Sequence, residues 1–488
     1  MKTPIVNGLR KYLESEKVRF HMPGHKGKTT LVNWGEFIPQ MDVTELEGLD
    51  NLNNAKGIIL ESEQQSAQAF GAKQTFYTVN GTSGGIHVVI AAMTHYGDKI
   101  LIQRNCHKSV YSAVILNRLR PEYVYPNYNT KNNITTGISP EDVESILKRD
   151  EEIKTVVVTY PSYYGICSDL EKIAEIVHRY NRVLIVDEAH GSHLKFSPKL
   201  PACALEAGAD LVVQSTHKTL PSFTQTSMVH VGSDRVDIER LKDMFGLYQT
   251  TSPSYIFMAS LEVARAFMEG EGVKKLDDMI GEVKRTTDYL KTLDRVHIFD
   301  GDTLDESIKA FDFTKMLINI DGITGTKLKE ILREEYDINF ELADYYYALA
   351  LPSLMNEKED FDKLIYAIED IAKTKPIGKV KKLDISLPKP KIVVNMGDAY
   401  SGEKEVLPLR ESIGRVSAGF IIPYPPGIPL IAPGEEITES ICNSYDIYKE
   451  NNVEIIGLVD YNRDMTQFIL DEINIVNVDL LEDLEKIA

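Results

Sequence analysis

The 488-residue chain is too long for one ordinary hydrophobic core and reads as two or three domains. Apolar residues make up 43% and charged ones 26%, a soluble globular balance, and no apolar run approaches the ~20 residues that span a membrane. A net charge of −19 argues against a polyanionic partner such as nucleic acid and suits a cationic ligand. Met1-Lys-Thr-Pro4 leads into no secretory apolar region, so a cytoplasmic location is expected. The four cysteines, Cys106, Cys167, Cys203 and Cys442, are far apart, form no close metal-type pair and read as reduced thiols or core residues.

In chain order, residues 1–55 form an irregular arm containing the turn-rich Phe20-His-Met-Pro-Gly-His-Lys-Gly27. From about 55 to 235, apolar β-type runs alternate with helical patterns. Strands are expected at 99–103, 122–125, 155–160, 183–187, 211–215 and 227–231, and helices at 57–70, 85–96, 108–117, 140–149 and 170–180. This alternation predicts a mainly parallel sheet covered on both faces. Helical patterns at 261–269 and 273–293 complete a large domain over 56–295. Residues 296–373 read as a small α+β domain, with strands near 315–320 and 347–351 and helices at 326–335 and 360–372. A basic, proline-bearing linker over 374–391 leads to a C-terminal α+β domain over 392–488. Its Pro423-Tyr-Pro-Pro-Gly-Ile-Pro429 is too proline-rich for a central strand.

Two motifs mislead. Gly27-Lys28-Thr29 ends like a P-loop, but Met22 stands where the first glycine should be, so Asp187-Glu-Ala-His190 loses its partner as a helicase box. His190 and His193 have no third metal ligand in evidence, and no metal is expected.

Four other features carry chemistry. Asn80-Gly-Thr-Ser-Gly-Gly85 precedes an apolar helix whose first amides, with the Thr82 and Ser83 hydroxyls and the room left by Gly84, can hold a phosphate. Asp187 ends a strand buried on both faces, where a carboxylate needs a charged partner. Lys218 follows the strand that ends in Ser215, with His217 beside it. His107 follows another strand, where its ring can stack on a flat ligand. Each feature alone has an ordinary structural explanation, such as a helix cap or an exposed loop lysine. Phosphate cradle, carboxylate and lysine at successive strand ends are together the set needed to hold pyridoxal phosphate, with the lysine as Schiff-base former and Asp187 on the pyridine nitrogen.

The chain resembles the bacterial ornithine/lysine/arginine decarboxylases, in the short form that lacks the N-terminal wing domain. The matching segments are FHMPGHKG at 20–27, NGTSGG at 80–85, NCHKS at 105–109, VDEAHG at 186–191, STHK at 215–218, TSPSY at 251–255 and GRVSAGFIIPYPPGIPL at 414–430. The last is the most discriminating, because ordinary aminotransferases lack a domain to carry it. The resemblance implies an aminotransferase-like α/β large domain, a small α+β domain and a C-terminal α+β domain. It implies Lys218 as the Schiff-base lysine, Asp187 as the pyridine-nitrogen partner and His107 stacked on the ring. It implies Thr82, Ser83, Ser215 and His217 around the phosphate, and His190 at the ring's edge. Thr251 or Ser252 would reach a neighbouring subunit's phosphate in a homodimer or larger homo-oligomer. Thr216 and Thr219 depart from the pattern, which leaves the phosphate contacts open.

The implied reaction is decarboxylation of a basic L-amino acid for polyamine biosynthesis: arginine first, giving agmatine, lysine next and ornithine third. The group that returns a proton to Cα is left open among Lys218, His217 and a cysteine. A cationic side chain needs a distal carboxylate, and Glu341, Asp344, Asp398 and Glu405 are the candidates. The alternatives are an aminotransferase or lyase using the same cofactor, and a non-catalytic regulator on the same fold.

Overall fold

The computed structural model describes residues 14, 17–28, 38–301, 305–378, 380, 386–424, 427–451, 453–458 and 472–476. The first thirteen residues of the arm, 381–385 of the linker, Pro425 and Pro426 of the proline-rich segment and most of the chain beyond 458 lie outside the described residues.

A seven-stranded sheet forms the centre. From edge to edge its strands are Gln74–Thr78, Ser227–Val231, Leu211–Gln214, Val183–Asp187, Thr155–Thr159, Lys99–Gln103 and Arg120–Val124. Only Ser227–Val231 runs against the rest, pairing antiparallel with both of its neighbours. Strand periodicity divides the aliphatic side chains between two cores. Leu101, Val156, Leu184, Val186 and Val212 face one, and Ile100, Ile102, Val157, Ile185 and Val213 face the other.

Five of the expected strands lie within a residue of their expected ends, and Arg120–Val124 starts two residues earlier than expected. The edge strand Gln74–Thr78 was not anticipated. Its sequence has little aliphatic content, and tertiary bonds hold it: Tyr77 N donates to Glu63 Oε1 at 2.9 Å, and the Tyr77 hydroxyl bonds Ser62 and Ser66. A second correction concerns the helix expected from Gly85, which begins at Gly81 and ends at Met93. The glycine-rich turn is therefore the helix's own first turn. Gly85 is required there because a Cβ would lie 2.7 Å from Val213 Cγ1 and 3.2 Å from Val229 Cγ2, so only glycine lets the helix settle onto the sheet.

A smaller four-stranded antiparallel sheet is ordered Val296–Phe299, Met316–Ile320, Ala348–Ala350 and Leu342–Ala343, with helices Gly325–Glu335 and Lys358–Thr374. The N-terminal segment reaches it: Val18–Phe20 pairs in parallel with Ile338–Phe340. The C-terminal unit contains helix Glu439–Glu450 and the pairing of Lys404–Pro408 with Glu472–Val476. It is anchored to the large sheet through Arg104, which is fully buried. Arg104 donates to Pro429 O at 3.0 Å, Leu430 O at 3.3 Å and Glu435 Oε2 at 3.1 Å. Among the described residues no helix is long and apolar enough to cross a membrane. All four cysteines are free and buried.

Candidate active site

The chemistry-bearing residues gather at the carboxyl ends of the central strands, where open α/β sheets bind ligands. Asp187 is the last residue of its strand and pairs in register with Val213, so it lies level with the turn that carries Lys218. Asp187 is 3% exposed, and its Oδ1 accepts from Ala189 N at 3.1 Å. Ser215 caps a single helical turn, Thr216–Thr219, and this turn presents the Lys218 amine. Lys218 Nζ lies 3.0 Å from His190 Nε2. Burial lowers the Lys218 pKa, Asp187 and Glu341 work against that shift, and Lys315 adds to it. The direction is the one a nucleophilic amine needs.

The cradle forms between the glycine-rich helix start and the Lys218 turn. Thr82 Oγ1 bonds Ser215 Oγ and donates to Ser227 Oγ at 3.2 Å, while Ser83 is exposed beside them. Three buried polar atoms in and beside the Lys218 turn have no hydrogen-bond partner: Thr216 Oγ1, Thr219 Oγ1 and His190 Nδ1. Hydroxyls with unused capacity at a helix start fit a phosphorylated cofactor. The two threonines that depart from the family pattern are thus among the polar groups left over.

His107 caps helix Lys108–Leu116, its Nδ1 accepting from Ser109 N at 3.2 Å and bonding Ser109 Oγ at 2.8 Å. It also faces the site: burial lowers its pKa, Asp187 counters that, and Lys218 reinforces it. Capping fixes the ring and leaves Nε2 outside the cap. His217 points Nδ1 at Thr226 O, 2.9 Å away, and burial pulls its pKa down to about 4, so it is neutral near pH 7. Its carbonyl accepts from Gly24 N at 2.7 Å. A Cβ on Gly24 would stand 2.5 Å from Leu220 O, so the Phe20–Gly27 segment is pressed onto the Lys218 turn.

The distal acids separate. Glu341 acts electrostatically on Lys218, and its carboxylate accepts from Met22 N at 2.6 Å through Oε2 and from Tyr163 OH at 2.9 Å through Oε1. The Tyr163 ring packs 4.5 Å from the His190 ring, which closes a path from Lys218 to Glu341. Asp344 is committed to structure: it accepts from Tyr164 OH at 2.6 Å and from the amides of Tyr346 and Tyr347, both at 2.7 Å. Asp398 pairs with Arg118, beyond the opposite end of the helix that His107 begins. Glu405 pairs with Arg415 at 3.3 Å in the C-terminal unit. The structure brings neither to Lys218 within the chain. Thr251 and Ser252 are exposed, with Ser252 N donating to Thr250 Oγ1.

Sequence reasoning missed several groups. Glu188, next to Asp187, is fully buried and accepts from Gln214 Nε2 and Ala204 N, both at 2.6 Å. Lys26 is buried and donates to His21 O and Leu351 O, both at 2.7 Å. Asp312, Lys315 and His193 form a buried cluster behind His190. For the last, the available signal was Asp312-Phe-Thr-Lys315 directly before an apolar strand, the same strand-edge logic that picked out Lys218.

Residues 3–317 match the family model of the Orn/Lys/Arg decarboxylase major domain, and residues 386–452 match that of the C-terminal domain. An arginine decarboxylase of Bacillus subtilis (strain 168) is 35% identical over 449 residues, which cover 90% of this chain and 92% of that protein. Among solved structures, the Francisella novicida lysine decarboxylase aligns with a TM-score of 0.77 at 24% identity, covering 97% of this chain and 80% of that one. An alanine–glyoxylate aminotransferase from Nostoc sp. aligns with a TM-score of 0.56 at 16% identity, covering 73% of this chain and 96% of that one. With the match spanning most of its length, the chain belongs to the Orn/Lys/Arg decarboxylase family and is a pyridoxal-phosphate-dependent decarboxylase of a basic amino acid, built on an aminotransferase-like fold.

Proposed function

We propose that the chain decarboxylates L-arginine to agmatine and carbon dioxide, ahead of lysine and ornithine, with Lys218 as the residue that carries the cofactor. The observation supporting this most directly is the convergence of the Lys218 amine, the Asp187 carboxylate and the Thr82–Ser215–Ser227 hydroxyls at adjoining strand ends, with Glu341 facing them from the smaller sheet. The bound cofactor supplies a sink for the electron pair left when the Cα–carboxylate bond breaks. Asp187, desolvated at its strand end, offers the negative charge that keeps such a sink protonated. His107, fixed as a helix cap, offers a flat ring at the site's face. Thr82, Ser83, Ser215 and His217 would hold the cofactor's phosphate, and His190 meets the Lys218 amine directly. Lys218, with its lowered pKa and its amine at the site, is the group we assign to return a proton to Cα.

Substrate choice rests on Glu341. Each of its oxygens accepts one protein hydrogen bond and has capacity for another, which suits the paired donors of a guanidinium. The arginine decarboxylase relatives, at 35% identity against 25–26% for the lysine decarboxylases, support arginine ahead of lysine. In this reading the enzyme works in the cytoplasm in polyamine synthesis, as at least a homodimer. The exposed Thr251 and Ser252 would then reach the phosphate of the second copy.

The test is product analysis with an equimolar mixture of arginine, lysine and ornithine, together with borohydride reduction and peptide mapping. Agmatine as the main product and a reduced adduct on Lys218 are expected, and Lys218→Ala abolishes both. An adduct on another lysine, or cadaverine as the main product, overturns the corresponding part of the reading.

A further inference from the structure

Behind His190 lies a charged cluster that the reaction described above does not use. Lys315 and Asp312 have no exposed side-chain surface and lie 3.0 Å apart. Asp312 also meets His193 Nε2 at 3.2 Å and accepts from Thr314 Oγ1 at 2.6 Å and Thr314 N at 3.1 Å. Burial pushes the Asp312 carboxyl up, but Lys315 and His193 together hold it well below the usual carboxylate range. A buried pair like this costs much desolvation and is weak support for stability by itself, which raises the question of what the buried cation does.

Its geometry points at the site. Lys315 Nζ donates to His190 O at 3.2 Å, and the ring of that same residue meets Lys218 Nζ at 3.0 Å. The segment bearing Lys315 is stitched down on the other side: Ala310–Phe311 pairs with Ile166–Cys167, and Asp312 N donates to Gly165 O at 2.8 Å. Lys315 then leads directly into the Met316–Ile320 strand of the smaller sheet.

We propose that Lys315, locked by Asp312 and His193, is a positioning residue for Lys218: it holds the His190 turn against the amine and places a buried positive charge behind it, so that the smaller sheet helps set the charge state in which Lys218 works. The other groups facing Lys218 are Asp187 at its strand end, Glu341 on the smaller sheet's hairpin, and His107, His190 and His217 around it. Those facing Lys315 are Asp312, His193, His190, Lys26 and Cys167. His190 and His193 are kept neutral by burial, and Lys218 and Lys315 lower His190 further. Lys315 is the positive charge behind the amine, opposite in sign to Asp187 and Glu341, so its removal has one direction of effect: the amine holds its proton more tightly.

The inference rests on Lys218 being the cofactor-bearing lysine, and the experiment separates the two. The loaded enzyme is titrated by its visible absorption, and the cofactor-stripped enzyme by the pH dependence of Lys218 acetylation, read by mass spectrometry. Lys315→Met, and the fold-sparing Asp312→Asn/Lys315→Met in which no unpaired charge stays buried, are expected to move both midpoints up by about one pH unit, roughly tenfold in proton affinity. Lys315→Arg, which keeps the charge, should return both midpoints to within a few tenths of a unit of the parent. A merely structural role would lower melting temperature without moving either midpoint. Unmoved or lowered midpoints in the double variant overturn the proposal. A borohydride adduct on a different lysine in the parent enzyme overturns the Lys218 reading instead.

Discussion

Arg104 and Glu435 are both fully buried and meet at 3.1 Å across the seam between the large sheet and the C-terminal unit. Arg104 is further enclosed by the rings of Tyr111 and Tyr123, 5.7 and 5.1 Å from its guanidinium carbon. Removing one partner strands a buried charge. Glu435→Gln is expected to cost about 3–5 kcal/mol. The measurement is thermal melting with limited proteolysis, in which the C-terminal unit should be released first. A double replacement, Arg104→Met/Glu435→Leu, should recover most of the loss, because neither charge then remains to be desolvated.

Gly85 offers a sharper steric test. A methyl group there meets Val213 and Val229 inside van der Waals contact, and both belong to sheet strands with little room to move. Gly85→Ala should destabilise by about 1–3 kcal/mol through overpacking. Because the same helix turn carries Thr82, the variant should also retain less cofactor after gel filtration. Equal retention with lowered stability would mean that the cradle tolerates the shift.

Glu188 predicts a pH dependence. Burial raises its pKa to about 8, against an ordinary carboxyl value of 4.5, with the bonds from Gln214 and Ala204 opposing the shift. Between those values the folded chain holds a proton that the unfolded chain has released, so stability falls as pH rises through that window. Glu188→Gln removes this dependence. Its melting temperature relative to the parent should climb from pH 5 to pH 8, and a constant difference across that range would contradict the assignment.

Glu341 and Asp344 sit three residues apart and should behave differently. Glu341→Gln keeps the shape but loses the charge facing a substrate cation; KM for arginine and lysine should rise by roughly tenfold or more, with a smaller change in kcat. Asp344→Asn should leave the arginine-to-lysine ratio of kcat/KM where it is and instead lower stability by about 1–3 kcal/mol, since Tyr164 and two amides lose a charged acceptor. Steady-state kinetics on the two variants side by side decides which acid selects the substrate.

The parallel strands were legible because their residues are aliphatic on both faces, and the strand ends at Asp187 and Lys218 followed from them. The glycine turn stood out as a candidate phosphate cradle but was misplaced as structure: Gly81–Gly85 looks like a helix breaker until Val213 and Val229 are known to lie beneath it. Asp312, Lys315 and Glu188 escaped notice for another reason. In a sequence, a buried ionisable group looks much like a surface one, and the packing around it shows the difference. The distal acids illustrate the same limit, since four carboxylates that the sequence offers on equal terms have four different sets of partners in space.

The pairing of Val18–Phe20 with Ile338–Phe340 has a consequence for how the enzyme is made. Lys17 and Asp337, whose side chains meet at 2.7 Å at the start of that pairing, are 320 residues apart. Closing so long a loop adds only a logarithmic entropy cost, so the finished enzyme loses little by it. A ribosome, however, emits the Phe20–Gly27 segment first and its partners strand hundreds of residues later. The support beneath the Lys218 turn and the amide that fixes Glu341 therefore arrive only after the smaller sheet has emerged. A nascent chain truncated before residue 338 carries every strand of the central sheet, but it lacks the partner strand for the N-terminal clasp beneath the Lys218 turn.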